Sequence, residues 1–170
     1  MPDLGQFHRE IVFLHVIGVF LFLLAHGVSA GVMFWLRRER EPAVLRSLLG
    51  LSYKAVLAMA VGALLLFVTG ILAGFSGDSW TDGRLWLWVS LAVFVAVFLL
   101  MTPLARMPLD RIRKALDEPT SEPPTLGSAV EPGASASLEA AITATRPMLV
   151  AGLGVGAVIV LTWLMMYKPF

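Results

Sequence analysis

Three histidines near the start of the chain are the residues best suited to chemistry. His8, His15 and His26 are separated by seven and eleven residues. These separations are close to two and three helical turns, so an α-helix places all three side chains on one stripe. A neutral imidazole is a common ligand for metal ions, including haem iron. The spacing therefore predicts a candidate ligand-binding stripe on the first helix.

The depth of each histidine in an apolar segment decides how much weight it receives. We expect His8 at the outer interface, His15 in the outer leaflet, and His26 about 16 Å deeper. An ionisable side chain inside a membrane is costly and counts as a functional candidate. The alternative is structural: each ring hydrogen-bonds to a hydroxyl or carbonyl of a neighbouring helix. For His26, which lies next to Gly27 and close to Ser29, this structural interpretation is the stronger one.

Other reactive arrangements are missing from the sequence. The chain has no cysteine, which excludes disulfides and thiolate sites. Its apolar segments contain no Asp or Glu, so a carboxylate proton relay lacks its usual parts. The run from Gly152 to Gly156 lies inside an apolar segment and not after a strand, so it is no phosphate-binding loop. Nothing in the sequence indicates hydrolysis, and whether the protein is an enzyme stays open.

Membrane-spanning helices are the elements that must carry these residues. Hydrophobic residues make up 58% of the 170 positions. Charged residues make up 15%, whereas soluble domains contain about a quarter of charged residues. A spanning helix needs about 20 apolar residues. Four uncharged stretches reach that length, at about residues 11–36, 55–75, 85–105 and 148–167. We therefore predict an all-α, polytopic membrane protein, a four-transmembrane-helix bundle forming a single membrane domain over residues 1–170.

Basic residues predict the orientation of this bundle. Ten Lys and Arg residues fall in the first and third loops, and only Arg9, Arg84 and Lys168 fall on the other side. Cytoplasmic loops carry such an excess, so both termini are expected outside, in a bacterial inner membrane. Aromatic residues typical of membrane interfaces agree with this, because five of them group at the predicted outer boundary. They are Trp80, Trp86, Trp88, Trp163 and Tyr167.

The third loop, about residues 107–146, is predicted to be a cytoplasmic linker. Leu109, Ile112 and Leu116 share one helical face, which indicates a short interfacial helix continuing the third span. From Glu118 to Ser135 the chain is rich in Pro, Ser, Gly and Ala, as in flexible linkers. Pro103 is expected to kink or end the third span.

Glycines one helical turn apart predict close helix contacts. Small residues with this spacing let two backbones approach in lipid. An alternative for the last pair is that, together with Gly154, it clears space for a flat cofactor. The pairs are Gly27 and Gly31, Gly70 and Gly74, and Gly152 and Gly156.

The segment Phe13-Leu14-His15-Val16-Ile17-Gly18 resembles the first helix of copper-resistance-D-like (CopD-like) integral membrane proteins. Ala25-His26-Gly27 and the exit at Arg37-Arg38 are similar to the uncharacterised bacterial branch of that superfamily. A more distant resemblance is to the haem-associated protoporphyrinogen oxidase HemJ. The resemblance implies a four-helix bundle in which His15 binds haem b as a metal ligand.

The chain departs from that pattern in its second ligand. The other three spans contain no histidine, and His15 and His26 are too far apart to bind one iron together. A sixth ligand would have to be Met, Lys, a residue of a partner, or nothing. Met165 is expected at about the depth of His15, from the rise of ~1.5 Å per residue, and is the candidate within the chain.

Together these observations favour a small redox-associated membrane protein that holds one b-type haem for electron transfer. The candidate cofactor-binding residues are His15, His26 and Met165. One alternative is a non-catalytic accessory subunit of a larger membrane complex. Another is a copper-handling protein, although the chain lacks the Cys and clustered Met and His that soft copper sites prefer. Expected partners are membrane lipids and other membrane subunits or a second copy; the net charge of +1 indicates no nucleic acid.

Overall fold

The computed structural model describes residues 4–77, 80, 85–117 and 132–169. These residues form helices and no strands, which confirms the predicted all-α fold. A 3-10 turn at Leu4–Phe7 leads into the first helix. The helices are α1 (His8–Leu36), α2 (Pro42–Ser76), α3 (Leu85–Asp117), α4 (Pro132–Thr143) and α5 (Pro147–Tyr167).

Four stretches of the described chain are helical, long and apolar enough to cross a membrane. They correspond to α1, α2, α3 and the stretch from Ala136 to Tyr167 that contains α5. Each of the four spans expected from the sequence lies inside one of them. The helix α4 alone has 12 residues, about 18 Å at 1.5 Å per residue, which is too short to span.

The antiparallel helices α1 and α2 form the closest pair in the fold. A β-carbon added at Gly62 would lie 2.8 Å from the backbone nitrogen of Phe22. One added at Gly18 would lie 3.1 Å from the backbone nitrogen of Leu66. Two glycines outside the predicted pairs, one on each helix, therefore set this approach.

Three helices, α2, α4 and α5, begin at a proline, and α3 contains two prolines in its interior. Pro42 and Pro147 stand in the first turns of α2 and α5, where a missing N–H costs little. Pro103 and Pro108 lie inside α3, which continues to Asp117. Of the two outcomes expected at Pro103, the helix does not end there, and the kink stays a prediction.

A compact apolar cluster lies at the end of the bundle where α1 finishes. Met33, Leu36, Leu45 and Ile112 are fully buried there. The helical continuation of the third span exists as expected, but Leu109 and Ile112 are buried in this cluster. The helices around them cover that face, so it packs inward. Within the predicted linker 107–146, α4 contributes Ala141 and Ile142 to the same cluster. Residues 118–131, most of the expected flexible part, lie outside the described residues.

The opposite end of the bundle carries aromatic rings. Trp80 packs edge-on against Trp88, with ring centroids 4.6 Å apart, and tilts against Phe75 at 5.8 Å. Its indole N–H donates to the carbonyl of Ile71 at 3.2 Å. The Lys168 ammonium lies 5.5 Å from the centre of the Trp86 ring. The aromatic residues expected at one boundary are thus found at one end of the helices.

Candidate functional site

His15 is fixed to α2 through one nitrogen of its ring. The Nδ1 atom lies 3.1 Å from the carbonyl oxygen of Leu66 and 3.1 Å from the hydroxyl of Thr69. A carbonyl can only accept, so Nδ1 carries the proton and donates. The Thr69 hydroxyl itself donates to the Leu65 carbonyl and has a lone pair free to accept. This arrangement leaves Nε2 as the unprotonated nitrogen, and it makes no hydrogen bond within the described residues.

The absence of a side chain at Gly70 gives the His15 ring its place. A β-carbon at residue 70 would lie 3.2 Å from Cε1 and 3.5 Å from Nδ1 of the imidazole. Gly70 therefore contacts α1 as its predicted pairing implies. The bonds to Leu66 and Thr69 are those of the structural alternative, in which a ring bonds to a carbonyl or hydroxyl of a neighbouring helix. The sequence did not indicate that this helix would be α2.

His8 repeats this pattern two turns nearer the start of α1. Its Nδ1 lies 2.7 Å from the hydroxyl of Ser76, whose own hydrogen is directed at the carbonyl of Ala73, 3.2 Å away. A β-carbon at Gly77 would lie 3.2 Å from Cε1 of the His8 ring. The two outer histidines of the stripe thus both face the second half of α2.

His26 lies in a different environment, against α5. The residue is 7% exposed, and its Nε2 is buried without a hydrogen-bond partner. Its ring occupies the space that a β-carbon at Gly154 would need. The ring of Phe22, one turn earlier on α1, is parallel to it within 2°, with centroids 6.3 Å apart. Gly154 therefore makes room for an imidazole of this chain and not for a flat cofactor.

The three predicted cofactor-binding residues are not brought to one point. His15 bonds to α2, whereas His26 lies eleven residues deeper and contacts α5. Met165 is exposed, with 38% of its surface accessible, and it follows Gly154 on α5 by eleven residues. Since eleven residues are close to three turns, Met165 lies on the same face of α5 as Gly154. His15 is also eleven residues from His26, the residue that contacts Gly154, so Met165 and His15 are at a similar distance from that contact.

Two of the three predicted glycine pairs meet no neighbouring helix among the described residues. An added β-carbon at Gly27, Gly31, Gly152 or Gly156 would meet nothing within 4 Å there. The expected close crossing at Gly152 and Gly156 is therefore not seen in this part of the chain; Gly154, on the other side of α5, makes the contact with α1.

Metal-binding clusters and cavities are the other kinds of site that the described residues could form. Those residues hold no group of three or more His, Asp or Glu side chains placed to bind a metal ion. One open cavity, lined by residues including Leu100, Leu104 and Gly152, is bounded by apolar residues of α3 and α5 and does not reach His15. Within the predicted spans, His15 is thus the histidine whose ring is fixed by hydrogen bonds.

Comparison with known proteins gives a family and no closer relative. No curated protein and no solved structure matches the chain. A family described as "Predicted integral membrane protein (DUF2269)" matches residues 10–169. This match includes the histidines at positions 15 and 26, all four long apolar helices and α4. Since it covers nearly the whole sequence, the protein belongs to the DUF2269 family of integral membrane proteins.

Proposed function

We propose that this protein binds one b-type haem through His15 and takes part in electron transfer in a bacterial inner membrane. The observation that carries the proposal is the fixed orientation of His15. Its Nδ1–H is held by the Leu66 carbonyl and the Thr69 hydroxyl, each at 3.1 Å. Its Nε2 is left with a lone pair and no partner in the described residues.

This arrangement has the form expected of a metal-ligating histidine. Such a residue almost always donates its second ring N–H to a carbonyl, carboxylate or water, which fixes the tautomer and raises the basicity of the ligand. The His15 ring fits an axial ligand to haem iron in this respect. His8 carries its proton on Nδ1 as well, because the Ser76 hydroxyl donates to the Ala73 carbonyl. It differs from His15 in position, since it is the first residue of α1 and lies before the predicted span.

Met165 is the residue of this chain that would hold the iron together with His15. Met165 is displaced from Gly154 as His15 is from His26, about 16 Å in each case. Both therefore lie at a similar depth in the outer half of the bundle. His26 has its ring against Gly154 at the deeper level, and we assign it no bond to the same iron.

A bound haem b would supply a one-electron carrier within the outer leaflet. The protein's own residues would hold it there: His15 as ligand, with Leu66 and Thr69 fixing the imidazole. Two further lines support the proposal. The motif around His15 resembles CopD-like proteins, and the ten-to-three distribution of basic residues favours both termini outside.

Absorption spectroscopy of the purified protein tests the proposal. After expression with ample haem, the wild-type protein should show a Soret band. His15→Ala should abolish that band, whereas His26→Ala and His8→Ala should largely retain it. A colourless wild-type protein, or one whose band persists in His15→Ala, would contradict haem ligation by His15.

A second candidate function, an accessory subunit, is favoured by the exposed helix surfaces. Only 11% of the most apolar 18-residue stretch of α3 is buried inside the chain, and 17% of that containing α5. The glycine pairs on α1 and α5 meet nothing among the described residues, and surfaces of this kind associate in lipid. Other membrane subunits or a second copy would cover them. Blue-native electrophoresis of membranes solubilised in mild detergent distinguishes a larger complex from a monomer.

A further inference from the structure

A groove between the end of α3 and α4 combines positive charge with a small-residue floor. It has a volume of about 330 Å³. A water molecule's share of liquid volume is about 30 Å³, so the groove holds a group much larger than a single ion. Two cationic side chains line it, from the same helix. The lining residues are Arg111, Lys114, Ala115, Ser137, Ala140, Ala141 and Ala144.

The two cations of this groove are not neutralised by the described residues. Arg111 and Lys114 are exposed and make no ion pair there. The acidic side chains on the two neighbouring helices either pair with other arginines or do not line the groove. Asp117 lies 3.9 Å from Arg113, and Glu139 lies 2.8 Å from Arg40. Asp110 belongs to α3 but does not line the groove. An anion is therefore the complementary ligand.

The position of the groove along the helices indicates where this anion comes from. Arg111 and Lys114 follow the predicted end of the third span, Ala105, by six and nine residues, or about 9 and 14 Å. On the other wall, Ala144 follows the end of α4 at Thr143 and lies three residues before α5 begins at Pro147. The polar layer on each side of the hydrocarbon core is about 5–7 Å thick, and long basic side chains can extend back towards it. Ile112, which lies between the two cations on α3, packs in the same buried cluster as Leu36, the end of the first predicted span. The groove is therefore close to the level of lipid headgroups.

We propose that this groove binds the phosphate headgroup of an anionic phospholipid. The guanidinium of Arg111 and the ammonium of Lys114 contact the phosphate oxygens, and the alanines of α4 admit the headgroup close to the backbone. Basic pockets between helices near a membrane surface bind lipid headgroups in this way. The inference depends on the protein lying in a membrane and is independent of haem binding at His15.

Native mass spectrometry of the full-length protein in detergent tests this proposal. The probe is a short-chain phosphatidylglycerol, with phosphatidylcholine as the zwitterionic comparison. A basic residue near an anionic surface contributes about fivefold in affinity, so Arg111→Gln/Lys114→Gln should weaken phosphatidylglycerol binding roughly 25-fold. The matched control is Arg37→Gln/Arg38→Gln, which removes two exposed charges at the same end of the bundle and should have little effect.

A third variant keeps both charges and fills the groove. Ala140 is an exposed residue of the floor, and Ala140→Trp should also weaken phosphatidylglycerol binding. Equal losses in the two double variants would overturn the proposal, because they would show non-specific attraction to charge. Competition by inorganic phosphate at the same concentration as the lipid would identify free phosphate as the ligand and would overturn it too. If wild type binds no phosphatidylglycerol but Glu118→Gln/Glu122→Gln/Glu131→Gln does, the chain's own acidic segment is the occupant and the lipid proposal fails.

Discussion

The imidazole of His26 fills the position that a β-carbon on Gly154 would take. This relationship joins the first and last long helices near the middle of the bundle. It also separates the glycines of α5 by role. Gly154 is buried, whereas a β-carbon on Gly152 or Gly156 would have no described residue within 4 Å.

Gly154→Ala should therefore destabilise the protein. The new methyl group overlaps all the nearest atoms of the His26 ring, so α1 and α5 must move apart or the imidazole must change rotamer. Forcing extra atoms into a packed site typically costs about 1–3 kcal/mol. Thermal unfolding of the detergent-purified protein, or steric trapping in bicelles, measures the loss.

Two controls separate this clash from a general effect of alanine. Gly152→Ala and Gly156→Ala add the same group to the same helix where nothing lies within 4 Å, and should leave stability nearly unchanged. His26→Ala should restore most of the stability lost in Gly154→Ala, since it removes the overlapping ring. Equal destabilisation by all three glycine substitutions would contradict the assignment.

The sequence was sufficient to predict where the membrane-spanning helices lie, but not which side of each helix contacts its neighbours. Four uncharged stretches predict four spans because lipid admits little else, and each lies inside an observed long helix. Spacing alone also put Gly152 and Gly156 on a contact face. Because Gly154 lies between them in sequence and on the other side of α5, the sequence does not determine which side of the helix faces α1. The bulk of the His26 ring decides it, and that is a property of another helix.

The candidate site shows the same division. The spacing of the histidines predicts a stripe on α1, and His8 and His15 do share a direction towards α2. The partners Leu66 and Ser76 carry no sequence signal, because one contributes a backbone carbonyl and the other is a common residue near a helix end. A hydroxyl partner was expected only in kind, and the bond from His15 to Thr69 depends on the close approach of α1 and α2 at Gly18 and Gly62.

Orientation in the membrane can be checked by reporter fusions. The excess of basic residues in the first and third loops predicts that a reporter after Phe170 is exported and one in the third loop stays cytoplasmic. Cysteine labelling provides an independent readout, since the chain has no native cysteine. A cysteine introduced near Gly77 should react with an impermeant reagent from outside. Labelling from the cytoplasmic side alone would reverse the proposed topology.

The loop between α1 and α2 should make stability depend on pH in acid. Backbone N–H groups of Glu41 and Arg40 donate to the Glu39 carboxylate and lower its pKa below the usual 4.5. A lowered folded-state pKa means that the ionised form stabilises the loop. This contribution is fully present above pH 4.5 and is lost as the pH falls through the lowered value.

Glu39→Gln isolates that contribution. The variant keeps an oxygen acceptor but cannot titrate, so its unfolding temperature should fall less steeply than that of wild type below pH 4.5. Thermal unfolding in detergent across that range provides the comparison. Parallel curves for the two proteins would show that Glu39 does not contribute to the acid response.

Thr69 should act as a positioning residue for haem at His15. Thr69→Val keeps the shape of the side chain and removes the hydroxyl that accepts from Nδ1, while the Leu66 carbonyl remains at 3.1 Å. Loss of such an outer partner typically lowers affinity 10–100-fold; with one partner left, we expect about tenfold weaker haem binding. A weaker hydrogen bond also makes the imidazole a poorer donor to iron, so the reduction potential of the haem should rise.

Ser76→Ala removes the equivalent bond at His8 and is the matched control, expected to change neither quantity. Haem titration followed by spectroelectrochemistry gives both readouts. Unchanged affinity and potential in Thr69→Val, or equal changes in Ser76→Ala, would show that the bond to His15 serves helix packing alone.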